Sequence, residues 1–225
     1  MEAVVTIVQN YHDTRLIADP KRQIVWKALW DYHFSRVIPK DGCVLDIGCG
    51  RGDFINQVVA RRRIAIDLWT DFPRFLEPGV ETIVGDLGEL KQIEDGAVDY
   101  ALASNIFEHI SQHEFSTVLN VMRRKLSPRG TLTILQPNYR YAYKEYFDDY
   151  THVSVYSHIS MVDFLTANGY DVMSIIPKFM PLTVKSRMPV FPLLIRAWLS
   201  SPIKPLGKQM LITARPRDAL LRASA

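Results

Sequence analysis

The sequence predicts an α/β fold, a largely parallel sheet with helices on both faces, in one domain spanning 1–225. Three observations predict it. Short apolar segments alternate with helical patterns between residues 44 and 176, the arrangement that builds parallel sheets buried on both sides. The first segment, Val44-Leu45-Asp46-Ile47, runs into Gly48-Cys49-Gly50-Arg51-Gly52-Asp53, a turn whose backbone can approach a ligand with no Cβ atoms in the way. Three successive strands end in an acid, Asp46, Asp67 and Asp86, at the carboxyl edge where open α/β sheets bind ligands.

Composition narrows the class. A chain of 225 residues, 48% hydrophobic and 23% charged, can bury a substantial core and is ordinary for a globular protein. Its formal net charge of +3 is too small to argue for nucleic acid as a partner, and no nucleic-acid-binding module is visible. The start, Met1-Glu2-Ala3-Val4-Val5, lacks the basic and apolar regions of a signal peptide, and no apolar run is long enough to span a bilayer. Cys43 and Cys49 flank one predicted strand, too far apart to bridge, so reduced thiols in a cytoplasmic protein are expected. With no CxxC spacing and no further sulfur ligands, no metal is expected.

Taken in order, Asp19-Pro20 marks a helix start, an N-cap acid followed by proline at the first helical position. The helix runs to Pro39 as an N-terminal cap within 1–40. Its apolar face, with Trp26, Trp30 and Phe34 beside it, packs on the sheet edge or lids a pocket. After the glycine loop, 54–61 reads as a short amphipathic helix, 63–67 as the second strand and 82–87 as the third. Strand 98–104 leads into Asn105-Ile106-Phe107-Glu108-His109-Ile110, and 113–126 is a helix with Phe115, Val118, Leu119 and Met122 on one face. Ser127-Pro128-Arg129-Gly130 reads as a turn before a fifth strand, 131–135. An aromatic and charged loop follows, from Gln136 to His152. It reads either as an acceptor pocket or as a solvated surface. Residues 157–168 form a helix closed by Gly169, and 170–176 a strand. Between 177 and 207 lie six prolines and several cations but no acid. This insertion reads as a lid on the domain or as a surface for peripheral contact with anionic membrane. A last strand covers 209–214, and the tail beyond Pro216 is expected to fray.

The loop does not fit a dinucleotide site. The fingerprint G-x-G-x-x-G requires glycine where Asp53 stands, and an acid there repels a pyrophosphate. There is also no Tyr-x-x-x-Lys of the kind an NAD-dependent oxidoreductase uses. Asp67 lies about 20 residues beyond the loop, where α/β nucleotide sites place the acid that accepts ribose hydroxyls; a helix N-cap is the competing reading. An acceptor at Asp86 can take the amine of an adenine, with Leu68, Trp69 and Leu87 as apolar walls.

The segments Val44–Phe54, Ala65–Trp69, Val84–Leu87, Ser104–Ile110 and Leu126–Leu135 together resemble the class I S-adenosylmethionine (SAM) dependent methyltransferases, especially their small type 11 group, in which Asn-x-Phe-Glu-His-Ile is typical. The runs Leu135–Tyr146, Lys185–Pro189 and Gly207–Met210 resemble bacterial members associated with polysaccharide and other glycan biosynthesis. The resemblance implies a Rossmann-like seven-stranded sheet of order 3-2-1-4-5-7-6 with the last strand antiparallel. It implies SAM as cofactor and S-adenosylhomocysteine (SAH) as product. At matching positions it puts Asp46, Gly48, Cys49 and Gly50 along the methionine and ribose of the cofactor, Asp67 on the ribose, Asp86 on the adenine amine, and Asn105 and Phe107 near the methyl group. Cys49 stands at a variable position, so no redox or nucleophilic role is expected of it.

The activity implied is methyl transfer to a small or glycan- or lipid-linked acceptor, at oxygen by preference. An oxygen acceptor needs a general base; His152 and His109 are the candidates, His152 preferred because it lies in the acceptor loop. Asn138, Tyr139, Tyr143 and Tyr150 are the candidate substrate residues. The competing reading is a catalytically silent SAM-binding scaffold or regulator of a biosynthetic assembly.

Overall fold

The computed structural model describes residues 19–181 and 190–217. Residues 1–18 of the expected cap, residues 182–189 of the insertion (Lys185, Arg187 and Pro189 among them) and the tail from 218 lie outside the described residues. Seven strands form one sheet: β1 (Cys43–Ile47), β2 (Arg62–Asp67), β3 (Val80–Val84), β4 (Val98–Ser104), β5 (Leu126–Pro137), β6 (Tyr170–Met180) and β7 (Gln209–Pro216). Their order is β3-β2-β1-β4-β5-β7-β6, as expected. β1 pairs in parallel with β2 and β4, β2 with β3, and β4 with β5, whereas β7 runs antiparallel to both β5 and β6.

The helices are α1 (Pro20–Tyr32), α2 (Gln112–Lys125), the single turn α3 (Tyr139–Ala142), α4 (His158–Ala167) and α5 (Pro192–Ser200). β1 lies between two strands and is buried along its whole length, so alternate residues serve opposite faces. Cys43, Leu45 and Ile47 join one core with Phe115, Leu119 and Met122 of α2 and Met161 and Leu165 of α4. Val44 joins the other with Ala28, Leu29 and Trp30 of α1 and Ile195 of α5. α2 begins in a capping box, the Glu114 N–H on Ser111 Oγ and the Ser111 N–H on Glu114 Oε2, which satisfies two otherwise orphaned donors.

Local sequence patterns misplace five elements. The helix expected at 54–61 is only a 3-10 turn, Ile55–Gln57, and Val58 is already extended. A helix this short makes too few hydrogen bonds to offset its nucleation, and Ile55, Val58 and Val59 are β-branched. α1 fills the space instead: Trp26 and Phe34 both pack on the Phe54 ring, at 5.7 and 5.3 Å. α1 therefore covers a sheet face rather than an edge, and ends at Tyr32, before a 3-10 turn at Phe34–Arg36. Asp53, with no helix to cap, pairs with Arg22 of α1 at 2.5 Å.

The expected turn at Ser127–Gly130 lies inside β5, where the register slips between Val98↔Leu126 and Tyr100↔Thr131. Asp99 pins this bulge, accepting from Ser127 Oγ at 2.8 Å and the Cys43 N–H at 2.9 Å. β3 stops at Val84, so Asp86 stands just past the strand. β6 extends to Met180, into the Pro-rich segment, with a register shift between Ile176 and Met180. Pro177 is tolerated there because β6 is an edge strand.

Candidate cofactor and acceptor site

The carboxyl edge of β1, β2 and β3 gathers the predicted acids. Gly48 has φ +67°, and a Cβ there would sit 2.1 Å from Ile106 Cδ1, so a side chain at residue 48 would be strained in its backbone and would displace the end of Ile106. Asp67 Oδ2 accepts the Gly50 N–H at 2.7 Å and Oδ1 the Trp69 N–H at 2.9 Å. It thus ties the glycine loop to the end of β2. Asp46 is 2% exposed, and its Oδ2 has no hydrogen-bond partner. Burial, reinforced by the charge of Asp67, pushes its carboxyl well above the usual carboxylate range; the Ile55 N–H opposes this in part. Cys49 is buried beside these acids, and burial and their charges raise its thiol well above normal, which keeps it un-ionised.

Asp86 is exposed and caps the 3-10 turn Leu87–Gln92, Oδ1 accepting from the Gly88 N–H at 2.7 Å. Of the expected adenine walls, Leu68 is exposed and Leu87 half-buried, but Trp69 is buried beneath Phe75, 5.2 Å away. The Arg51 guanidinium lies 4.3 Å from the Phe75 ring and 5.4 Å from Trp69.

At the end of β4, Asn105 has φ 55°, a left-handed backbone uncommon outside glycine and concentrated at functional sites. Its N–H donates to Leu135 O at 2.7 Å, and its Oδ1 accepts from Gln209 Nε2 at 3.0 Å. Phe107, expected near the methyl group, points the other way. It is fully buried and stacked on Phe115 of α2 at 3.7 Å, within the core that lies between α2 and the sheet.

The next two residues turn back towards the 136–152 loop. The Glu108 carbonyl accepts the Val153 and Ser154 N–H groups at 2.9 and 3.1 Å, so the two segments are locked together. This brings His109 and His152, the two candidate bases, to 4.8 Å between ring centres. The Glu108 side chain is fully buried, with no other residue hydrogen-bonded to either oxygen; burial pushes its carboxyl up to about 8, opposed in part by its own backbone N–H and reinforced by Asp149. Burial, then the charge of His152, lowers His109 to about 4, against the pull of Asp149 and Thr151. Thr151 Oγ1 donates to Asp149 Oδ1 at 2.6 Å and lies 2.9 Å from His109 Nδ1. Tyr146 is buried 4.6 Å from the His152 ring, its hydroxyl donating to Ser154 O at 2.6 Å.

The predicted substrate residues divide. Tyr143 and Tyr150 are 56% and 68% exposed, and Tyr139 is half-buried, edge-on to Tyr146 at 5.2 Å. Asn138 is a correction. It is fully buried, Nδ2 donating to Pro177 O at 2.9 Å and Oδ1 accepting the N–H groups of Arg140 and His158. It joins α3, α4 and β6 and presents nothing to a ligand. Sequence reasoning passed over Glu108, Tyr146, Asp149 and Thr151 as site residues; the Asp-x-Thr spacing of an Asx turn was the available signal for the last two.

Residues 44–130 match a family described as a methyltransferase domain. No curated protein shows a significant sequence match. Among solved structures, a SAM dependent methyltransferase from Archaeoglobus fulgidus is 21% identical, with 92% of this chain and 98% of that chain covered at a TM-score of 0.65. A second, from Mesorhizobium loti, is 15% identical over 84% and 97% of the two chains, TM-score 0.60. The 1,6-didemethyltoxoflavin-N1-methyltransferase of Burkholderia thailandensis, solved with 1,6-didemethyltoxoflavin and S-adenosylhomocysteine, is 21% identical over 96% and 89%, TM-score 0.60. The chain therefore has the class I methyltransferase fold, and its residues 44–130 are a match to a methyltransferase domain.

Proposed function

We propose that the protein is a SAM-dependent methyltransferase whose acceptor is a small or glycan- or lipid-linked molecule, methylated at oxygen. The carrying observation is the acid-lined edge of β1–β3 beside the glycine loop. Asp46 keeps a buried oxygen without a partner, a place for the cofactor's amino group. Asp67 already braces the loop through Gly50 and, as a carboxylate at the end of β2, is the acceptor that would meet the ribose hydroxyls. The exposure of Asp86 past β3 supports its role as acceptor of the adenine amine. These residues fit the cofactor.

SAM, when bound, supplies an electrophilic methyl group and leaves as SAH. The chain's task is to align the acceptor with that methyl group. Asn105, at the end of β4, stands on the cofactor side. Tyr139, Tyr143, Tyr150 and His152 come from the loop on the acceptor side. A hydroxyl acceptor loses its proton on methylation, and the closeness of the His109 and His152 rings, 4.8 Å between centres, supports a proton acceptor in this segment. The nitrogen named in the Burkholderia enzyme makes an amine acceptor the reading to exclude.

A lipid-linked acceptor is favoured by the surface around α5. Phe191, Leu193, Leu194, Ile203 and Leu206 are exposed there, and residues 177–207 contain no acid, a combination that suits an anionic interface. Among the described residues no helix is long and apolar enough to cross a membrane, so any such contact is peripheral.

Calorimetric titration with SAM, SAH and NAD tests the reading. SAM and SAH should bind with NAD silent, and Asp67→Ala should weaken SAH by at least about 100-fold, since it removes a charge-assisted contact and frees the loop. Absence of SAM and SAH binding would sink it; binding without turnover across nucleotide sugars and lipid-linked glycans would favour the silent scaffold.

A further inference from the structure

We propose that Glu108, His109 and His152 bind one divalent transition-metal ion of the zinc type. One ligand atom from each lies within 4.8 Å of the other two. Zinc sits about 2.0–2.1 Å from such ligands, so a tetrahedral set spans about 3.4 Å. Modest rotamer adjustments close the gap.

The Glu108 carboxylate points to a ligand. It is wholly enclosed, and no other residue hydrogen-bonds to either oxygen, a state that buried acids avoid unless a cation or a donor meets them. Its backbone is fixed by the Val153 and Ser154 N–H groups, which hold the chain next to His152 in place. The second ligand is oriented by a relay. The single proton of the Thr151 hydroxyl goes to Asp149 Oδ1, which can only accept. Thr151 Oγ1 must then accept from His109 Nδ1–H at 2.9 Å, leaving Nε2 with its lone pair. A carboxylate acting through a hydrogen bond on the far nitrogen is how proteins set the tautomer of a metal-bound imidazole. His152 completes the set, its ring held 4.6 Å from Tyr146.

Two imidazoles and one carboxylate suit zinc and its neighbours rather than magnesium or calcium, which prefer oxygen ligands throughout. Three protein ligands leave a position open. The binding claim stands on this geometry alone. The ion's role, which rests on the methyltransferase reading above, is to lower the pKa of an acceptor hydroxyl at that open position so that its proton passes to solvent water, in place of the two imidazoles whose lone pairs the metal takes.

The test uses the full untagged chain after dialysis against chelator. Zinc chloride is titrated by calorimetry and cobalt chloride by visible absorption, in wild type, Glu108→Gln, His152→Ala and Thr151→Val, with SAH affinity measured for each. Expected are one zinc per chain and the visible bands of four- or five-coordinate cobalt. Affinity should fall by more than about 100-fold in Glu108→Gln and His152→Ala, and by about 10–100-fold in Thr151→Val, with SAH affinity held within about twofold throughout. Zinc binding no tighter in wild type than in Glu108→Gln, or cobalt without those bands, would overturn the proposal. If Glu108→Gln fails to fold, seen as lost SAH binding, His152→Ala and the wild-type cobalt spectrum decide. Wild type that binds zinc but not SAH sinks the methyltransferase reading and leaves the metal site standing.

Discussion

The two ends of the sheet's carboxyl edge satisfy their acids differently. On the β1–β3 side, Asp67 and Asp86 accept backbone N–H groups of the loops that follow their own strands or the neighbouring one, so the loops are braced before any ligand arrives. On the β4–β5 side, Glu108 is buried with no other residue hydrogen-bonded to either oxygen, and its neighbours are held by contacts between segments far apart in sequence. The first half is organised by its own backbone; the second is organised by assembly. Asp46 is the exception that locates the ligand on the braced side, because it alone of those three acids has a buried oxygen left over.

The largest test breaks the join between the halves. Gly48→Val puts a Cβ against Ile106 at a positive φ. Overpacking and left-handed strain together should cost about 3 kcal/mol, read by urea denaturation, and SAH binding should vanish with it. If the variant keeps its stability, the two segments are not pressed together through residue 48.

Tyr146→Phe probes the acceptor half alone. It removes the buried donor to Ser154 O and should cost about 1–2 kcal/mol. SAH affinity should stay within about twofold, because nothing on the β1–β3 side touches that bond. A tenfold loss of SAH affinity would show that the halves are not independent.

The same contrast explains what the sequence made legible. The glycine loop and the acids after β1, β2 and β3 announce themselves by local spacing, and sheet order followed from recognising the set. The absent helix at 54–61 was not legible, since α1, from upstream, takes its place by packing Trp26 and Phe34 on Phe54. Nor could spacing tell that Phe107 faces the core or that Asn138 is spent on Pro177, Arg140 and His158. A motif names residues; side-chain direction depends on what packs around them. The approach of Glu108 to His152 belongs to the same class, being set by a loop that closes through tertiary contacts.

Asp46→Asn sharpens the comparison from the cofactor side. Because the folded carboxyl is shifted upward from 3.8, wild type loses stability as pH rises above that value, until the folded carboxyl itself ionises. The Asn variant mimics the protonated acid. It should match wild type near pH 3.8 and gain about 1 kcal/mol at neutral pH, seen as a higher Tm, while SAH binding weakens at least about tenfold. Equal Tm values across the range would mean that Asp46 is not desolvated.

The smallest effect lies where the halves meet, at Asn105. Its φ of 55° is one that glycine adopts freely and alanine does not, so Asn105→Ala should cost about 1 kcal/mol. In Asn105→Gly, relief of that strain offsets the greater freedom of the unfolded chain, and stability should stay within about 0.5 kcal/mol. What glycine cannot replace is the Oδ1 that receives Gln209 Nε2, which holds the side chain at the junction of β4 and β7. If Asn105 serves the site through that side chain, the glycine variant should keep its fold and lose methyl transfer. If it keeps both, residue 105 is only a turn, and the strain at the end of β4 belongs to the chain reversal rather than to the chemistry.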